Sequence, residues 1–226
     1  MVPNGDDLKK AAAMEALKLV SDGMVLGLGT GSTVRFFLDG LSKMVQNGLK
    51  VKGVPTSYET AILGRELGID IDESYSGELD LDVDGADEAD PSGHLIKGGG
   101  GALLREKIVA YNSRKVCIIV DQSKFKEKIG KFGIPIEIFE YLHTNTKRNI
   151  EKLGAKCTLR KQGAFKTDNG NLILDCDFGL IDKPESLEKS IKKIPGVAEV
   201  GLFNGLCHTI IIATGNGVKQ IDIEPA

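Results

Sequence analysis

Asp84, Asp87, Lys97 and Glu106 fall within one short stretch of this 226-residue chain, and the same stretch holds four consecutive glycines, Gly98 to Gly101. Three carboxylates and one ammonium gathered around bare backbone are poor material for a hydrophobic core. They suit a site that moves a proton on a polar, phosphorylated substrate. A carboxylate takes the proton, a cation steadies the charge left behind, and backbone N–H groups hold an anion. Taken singly, Asp-Gly-Ala-Asp reads as a turn and Lys-Gly-Gly as a loop. Taken together they read as a site.

The elements around these residues explain why they should converge. Leu79, Leu81 and Val83 alternate with Asp80, Asp82 and Asp84, the period of a strand with one buried face. Gly85 breaks the alternation, so Asp84 and Asp87 sit at or just past the carboxyl end of that strand. In an open α/β sheet, ligands bind at that edge. The glycine run then leads into Ala102–Val109, the opening of a helix. Consecutive glycine N–H groups and a helix N-terminus make an anion cradle, and Glu106 lies in the first turns of that helix.

A second glycine-rich turn, Gly27-Leu28-Gly29-Thr30-Gly31-Ser32-Thr33, runs from the apolar segment Met24–Leu28 into a helix carrying Val34, Phe37, Leu38, Leu41 and Val45 at helical spacing. It is not a dinucleotide fingerprint: Ser32 and Val34 stand where the third glycine is required, and the next strand ends in Thr56-Ser57-Tyr58 without an acidic residue for a ribose. Nor is it a P-loop, which needs a Lys-Ser or Lys-Thr pair. Thr30, Ser32 and Thr33 suit a single phosphate or carboxylate. The competing reading is a tight turn whose hydroxyls only cap a helix.

Composition bounds the function classes. A net charge of −3 with no basic block argues against a nucleic-acid partner, and no apolar run is long enough to cross a membrane. The N-terminus has acidic residues early and turns into a helix, unlike a signal or transit peptide. Cys117, Cys157, Cys176 and Cys207 are scattered singly, so neither a zinc motif nor a disulfide framework is expected; they read as buried thiols of a cytoplasmic protein. His94, His143 and His208 are too far apart in sequence to suggest a metal cluster, and His94 reads as a loop residue.

Alternating strands and helices predict an α/β fold with an open, largely parallel sheet. A helix at 7–21 is followed by strands at 51–56, 79–84 and 115–120, with a helix near 58–67. Beyond Lys124 the texture changes. Strands at 134–139, 155–161, 172–178 and 197–203, with helices at 143–153 and 185–194, give the order βαββαβ of a ferredoxin-like unit. Two last strands, 208–214 and 219–224, return to the first sheet. The expected division is a Rossmann-like domain of residues 1–130 plus 205–226, with an inserted ferredoxin-like α+β domain at 131–204.

The segments GLGTGST, DVDGADE and KGGGGALLREK, in that order and spacing, resemble the ribose-5-phosphate isomerase A family. LKKAAAMEAL near the N-terminus and DQSKF at 121–125 extend the resemblance over essentially the whole chain. Gly101 is one departure, since members often carry alanine there. The resemblance implies interconversion of ribose 5-phosphate and ribulose 5-phosphate through an enediolate. Glu106 would move the proton between C2 and C1, and Lys97 would stabilise the oxygen charge. Asp84 and Asp87 would bind sugar hydroxyls and help open the ring, Asp84 being the favoured residue for that step. Thr30, Gly31, Ser32 and Thr33, with Gly85, Ala86, Gly98, Gly99 and Gly100, would line the substrate. Lys9 and Lys124 are candidate phosphate partners, with solvated surface charges as the competing reading. No metal or organic cofactor is implied, and members are usually homodimers or homotetramers.

Two rivals stand beside this reading. A sugar-phosphate deaminase or coenzyme A transferase would share the fold group, but the first would use a histidine and none is well placed, while the second needs a nucleophilic glutamate and a larger cleft. A non-catalytic sugar-phosphate-binding effector domain would keep the cradle but has no need of Glu106 and Lys97 together.

Overall fold

The structure, a computed structural model, describes residues 5–224. Its elements begin with α1 (Gly5–Ala16), β1 (Val25–Leu28), α2 (Ser32–Gln46), β2 (Lys52–Pro55), α3 (Tyr58–Glu66), β3 (Asp70–Ile71) and β4 (Leu81–Asp84). They continue with β5 (Glu88–Ala89), β6 (Leu95–Ile96), α4 (Leu103–Tyr111), β7 (Val116–Asp121), β8 (Ile134–Ile138), α5 (His143–Glu151) and β9 (Lys156–Leu159). The last are β10 (Leu172–Asp177), α6 (Pro184–Lys192), β11 (Val197–Val200), β12 (Leu202–Phe203), β13 (Thr209–Thr214) and β14 (Gly217–Asp222).

Two compact units divide the chain. The first holds the described residues up to Gly85, Arg105–Phe125, and those from Leu206 onward; the second holds Ala86–Leu104 and Lys126–Gly205. The stretch Ala86–Leu104, expected in the larger domain, groups with the second unit.

In the first unit a seven-stranded sheet runs β14-β13-β7-β4-β1-β2-β3. All neighbouring pairs are parallel except β13–β14. β7, VCIIVD, is buried along its whole length, as a strand covered on both faces must be. Phe37, Leu38 and Leu41 of α2 and Ala12, Ala13 and Ala16 of α1 share a core with Leu26, Leu28, Val83 and Ile119. From β1 the chain moves outward to β2, whereas from β4 it moves the other way to β7. The carboxyl ends of β1 and β4 therefore flank the topological switch point, where ligand crevices form in such sheets.

The second unit contains an antiparallel sheet in the order β11-β8-β10-β9, the strand order expected of βαββαβ. Ile134, Ile136, Ile138, Ile150, Leu172, Leu174 and Ile191 fill its core. A second small sheet, β12-β6-β5, lies outside the sequence expectation. It arises because the strand expected at 197–203 breaks at Gly201. A Cβ there would lie 2.4 Å from the Lys97 carbonyl oxygen and 2.6 Å from that of Pro135. The chain before Gly201 pairs with β8, and the chain after it pairs with β6.

The cysteine expectation needs correcting for two of the four residues. Cys157 and Cys176 stand directly opposite in the β9–β10 register and are joined in a disulfide. The pairing is set by strand register across 19 residues of sequence, which spacing alone does not reveal. Cys117 and Cys207 are buried free thiols. Among the described residues no helix is long and apolar enough to cross a membrane.

Candidate active site

In the first unit, Asp84 is the last residue of β4 and is buried. Its Oδ1 accepts the N–H of Thr30 at 3.1 Å and that of Gly85 at 2.7 Å. Across the switch point, Gly29 fits only because it has no side chain, since a Cβ would lie 2.1 Å from the same Oδ1. Gly31, with φ +121, then turns the chain into α2.

The hydroxyls of this loop do not cap the helix. Gly31 is the N-cap residue, and no side chain caps it. Instead Thr30 Oγ1 lies 2.7 Å from Thr56 Oγ1 and donates to Ser57 Oγ at 2.8 Å. Thr60 Oγ1 in turn donates to the Gly29 carbonyl, and Thr56 Oγ1 to that of Leu28. A knot of side chains beyond the end of β2 thus fixes the β1–α2 turn. In the sequence, Thr56 and Ser57 stand out only as the absence of an acidic residue. Their signal was positional, two hydroxyls where a parallel strand ends.

Glu106 lies in the first turn of α4 and is 4% exposed. A carboxylate in that turn is favoured by the helix dipole. Its neighbour Arg105 lies over the Tyr58 ring, 4.3 Å from the centroid, which ties the start of α4 to α3. Lys124 follows β7, with its N–H on the Asp121 carbonyl. Asp121 Oδ1 also accepts the Ser123 N–H, so the carboxylate shapes that turn. Lys9 pairs with Asp6 within α1 at 3.1 Å.

In the second unit, Asp87 Oδ2 accepts the Gly99 N–H at 2.7 Å, and Gly99 has no room for a Cβ beside that carboxylate. The Gly101 N–H closes a turn onto the Gly98 carbonyl. Two of the four glycine N–H groups are therefore already engaged, one by the Asp87 carboxylate and one inside the loop, where the sequence suggested a row of them facing a ligand. Gly98 and Gly101 have φ of +104 and +89, conformations open to glycine at little cost. At Gly101 an added Cβ would also meet the Phe165 ring at 2.3 Å.

Lys97 directly follows β6 and is 3% exposed. Its N–H binds the Gly201 carbonyl, and its Nζ lies 5.5 Å from the centre of the Phe203 ring. Glu88, beside Asp87 and not among the residues singled out from sequence, anchors the turn 130–132. Its buried carboxylate accepts the N–H groups of Gly130, Lys131 and Phe132 at 2.6, 3.1 and 3.1 Å. His94, read as a loop residue, bridges Asp90 and Glu185, with 2.9 Å to each. Among the described residues, no group of three or more His, Cys, Asp or Glu side chains is arranged to hold a metal ion.

The sequence model of the family described as Ribose 5-phosphate isomerase A (phosphoriboisomerase A) matches residues 52–217. The chain belongs to the ribose 5-phosphate isomerase A family. It is 50% identical over 216 residues to the ribose-5-phosphate isomerase A of Picrophilus torridus, covering 96% of this chain and 98% of that protein. The Thermoplasma volcanium protein of the same name is 46% identical, over 96% of this chain and 92% of its own. Among solved structures, ribose 5-phosphate isomerase A from Methanocaldococcus jannaschii superposes with a TM-score of 0.90 at 40% identity, covering 97% of this chain and all of that one. A D-ribose-5-phosphate isomerase solved with phospho-erythronic acid gives 0.93 at 38% identity, again over 97% of this chain and all of the other. The α/β fold with its mostly parallel seven-stranded sheet and smaller antiparallel sheets is the fold of this family.

Proposed function

We propose that this chain carries out the family's reaction, the interconversion of D-ribose 5-phosphate and D-ribulose 5-phosphate, with Glu106 as the base. It is an aldose–ketose isomerase, and family membership over nearly the whole chain carries that assignment. The deaminase, transferase and effector-domain readings are set aside with it.

The chemistry assigns a role to each residue type. With the sugar ring open, Glu106 removes the C2 proton, and the electrons pass through an enediolate to the C1 oxygen. The same carboxylate returns the proton to C1, while the C2 hydroxyl proton is exchanged for one at O1. One base serves both carbons because they adjoin, and such a base contributes ~10²–10⁴-fold in rate. Lys97, an ammonium with three donors, stabilises the charged oxygen. Asp84 and Asp87 hold sugar hydroxyls, and Asp84 assists ring opening. Its buried place at the switch point supports that reading.

The Thr30–Thr33 turn, with Lys124 and Lys9, takes the phosphate, and Gly85, Ala86 and Gly98–Gly100 line the sugar. No metal or organic cofactor takes part. The enzyme works in the cytoplasm as a homodimer or homotetramer; exposed Tyr141 and Leu142 offer apolar surface for such an assembly.

The test is ribulose 5-phosphate formation from ribose 5-phosphate in the presence of a chelator, for the wild type and Glu106→Gln. Turnover that survives chelation and falls ~10²-fold or more in a variant that still binds ligand supports Glu106 as base. A variant that retains wild-type turnover removes Glu106 from that role. Sedimentation velocity tests the assembly, and a monomer at assay concentration refutes it.

A further inference from the structure

We propose that Arg160 is a positioning residue for catalysis, setting both the loop that follows Lys97 and the Asp87 carboxylate. It lies just beyond β9, about 60 residues from that loop in sequence, and its side chain is 13% exposed. Its guanidinium works in two directions. Nε and Nη2 form a bidentate pair with Asp175 on β10, at 3.0 and 2.5 Å. Nη1 donates to the carbonyls of Gly98 and Gly99, at 2.9 and 3.2 Å.

Those two carbonyls decide which way the neighbouring N–H groups face. In a trans peptide the C=O and N–H point in opposite directions. Drawing the Gly98 carbonyl to Arg160 therefore turns the Gly99 N–H outward, and that N–H is the group that holds Asp87 Oδ2 at 2.7 Å. Drawing in the Gly99 carbonyl turns the Gly100 N–H away from Arg160 in the same manner. The result is a continuous chain of hydrogen bonds, Asp175 to Arg160 to a peptide to Asp87. Such chains polarise one another, and the links to charged groups are the strong ones.

Phe165 completes the support. Its ring centre is 5.5 Å from the Arg160 guanidinium, and the ring fills the space that a Gly101 Cβ would need. The turn Arg160–Gly163 brings these groups together with Lys161 and Gln162 at φ of 46° and 54°. Left-handed backbone at two non-glycine residues in succession is held only where surrounding structure over-determines it. A loop with positive φ at both ends has many alternatives, and only a fork that grips two carbonyls and a carboxylate at once fixes a single one. Lysine, whose three donors all sit on one nitrogen atom, cannot match the planar fork.

This role rests on the isomerase reading, so wild-type turnover of ribose 5-phosphate is the control that separates the two. With that turnover in hand, Arg160→Met, Arg160→Lys and Asp175→Asn are compared as full-length proteins. For Arg160→Met, kcat falls at least ~10-fold, as expected when reacting groups drift by a fraction of an ångström, while KM changes less than about threefold. Lysine recovers only part of the loss. Asp175→Asn lowers kcat by a smaller factor, and the Arg160→Met/Asp175→Asn double variant is no worse than Arg160→Met, because Asp175 acts through Arg160. Amide hydrogen exchange in the peptide containing Gly98–Gly101 is faster in each variant. Wild-type kcat in folded Arg160→Met, or a loss that only follows the folded fraction, overturns the proposal. Should Arg160→Met fail to fold, unchanged kcat in Asp175→Asn overturns it, and failure of both to fold makes Arg160 a purely structural residue.

Discussion

Gly29 and Asp84 occupy a space with room for only one side chain. A Cβ on Gly29 would lie 2.1 Å from Asp84 Oδ1 and 2.2 Å from its carboxyl carbon. The glycine is thus a condition for the carboxylate's position at the switch point of the sheet.

Gly29→Ala is expected to displace Asp84 and cut turnover by about 10²-fold, the usual order for a reactive group moved by about an ångström. Overpacking at the same place costs about 1–3 kcal/mol of stability. Steady-state kinetics with a thermal melt checks both; a variant with wild-type kcat would show that Asp84 can shift without consequence.

Glu88 bears on stability instead. Its carboxylate satisfies three backbone N–H groups in the turn 130–132. Glu88→Ala removes the acceptor for all three and should destabilise by about 3 kcal/mol. Glu88→Gln keeps one carbonyl oxygen but turns an NH₂ toward donors, so it recovers only part of the loss. Urea unfolding measures the difference, and an alanine variant within about 0.5 kcal/mol of wild type, the range of ordinary surface changes, contradicts this account.

His94 gives the fold a pH dependence. Burial lowers its pKa, but hydrogen bonds from the imidazole to Asp90 and Glu185 outweigh burial and hold it above the ordinary 6.5. The folded state therefore binds the proton more tightly than the unfolded one. The stabilisation is complete below pH 6.5 and is lost as pH rises from there through the folded pKa. Urea midpoints measured across that window should fall more steeply for wild type than for His94→Asn. Parallel curves would rule the contribution out.

The Cys157–Cys176 bond closes a loop across 19 residues. In the chain-entropy account such a closure stabilises by about 3 kcal/mol. Thiol titration of the non-reduced, denatured protein should count the two free cysteines, Cys117 and Cys207. In the native state both are expected to react slowly, because burial raises both pKa values, that of Cys207 to about 12. Four thiols before reduction, or an unchanged melt after it, would contradict the bonded pair.

Much of the fold was legible because it rests on local pattern. The alternation from Leu79 to Asp84 placed Asp84 at a strand end, and the apolar spacing after Ser32 marked α2. The order βαββαβ was readable for the same reason. The two-residue strands β5 and β6 were not, since two residues carry no period. Nor did the sequence reveal the break at Gly201, where the Lys97 and Pro135 carbonyls leave no room for a Cβ. The partners of the site residues were hidden because they are tertiary: Thr30 finds Ser57 across 27 residues, and Arg160 finds Gly98 across 62. The glycine run was seen as bare backbone, but which N–H groups it spends on itself depends on the turn it adopts.

The division of the chain has a consequence for how such a protein can be altered. Residues 126–205 are one continuous stretch and look like a detachable cassette, but β6 pairs with β12 and the Lys97 N–H binds Gly201. Excision would remove β12 and leave β6, the strand just before Lys97, paired with β5 alone. Modularity in this protein is therefore only apparent, and neither a minimal version nor a domain graft can cut at 126 and 205 and keep the lysine in its setting.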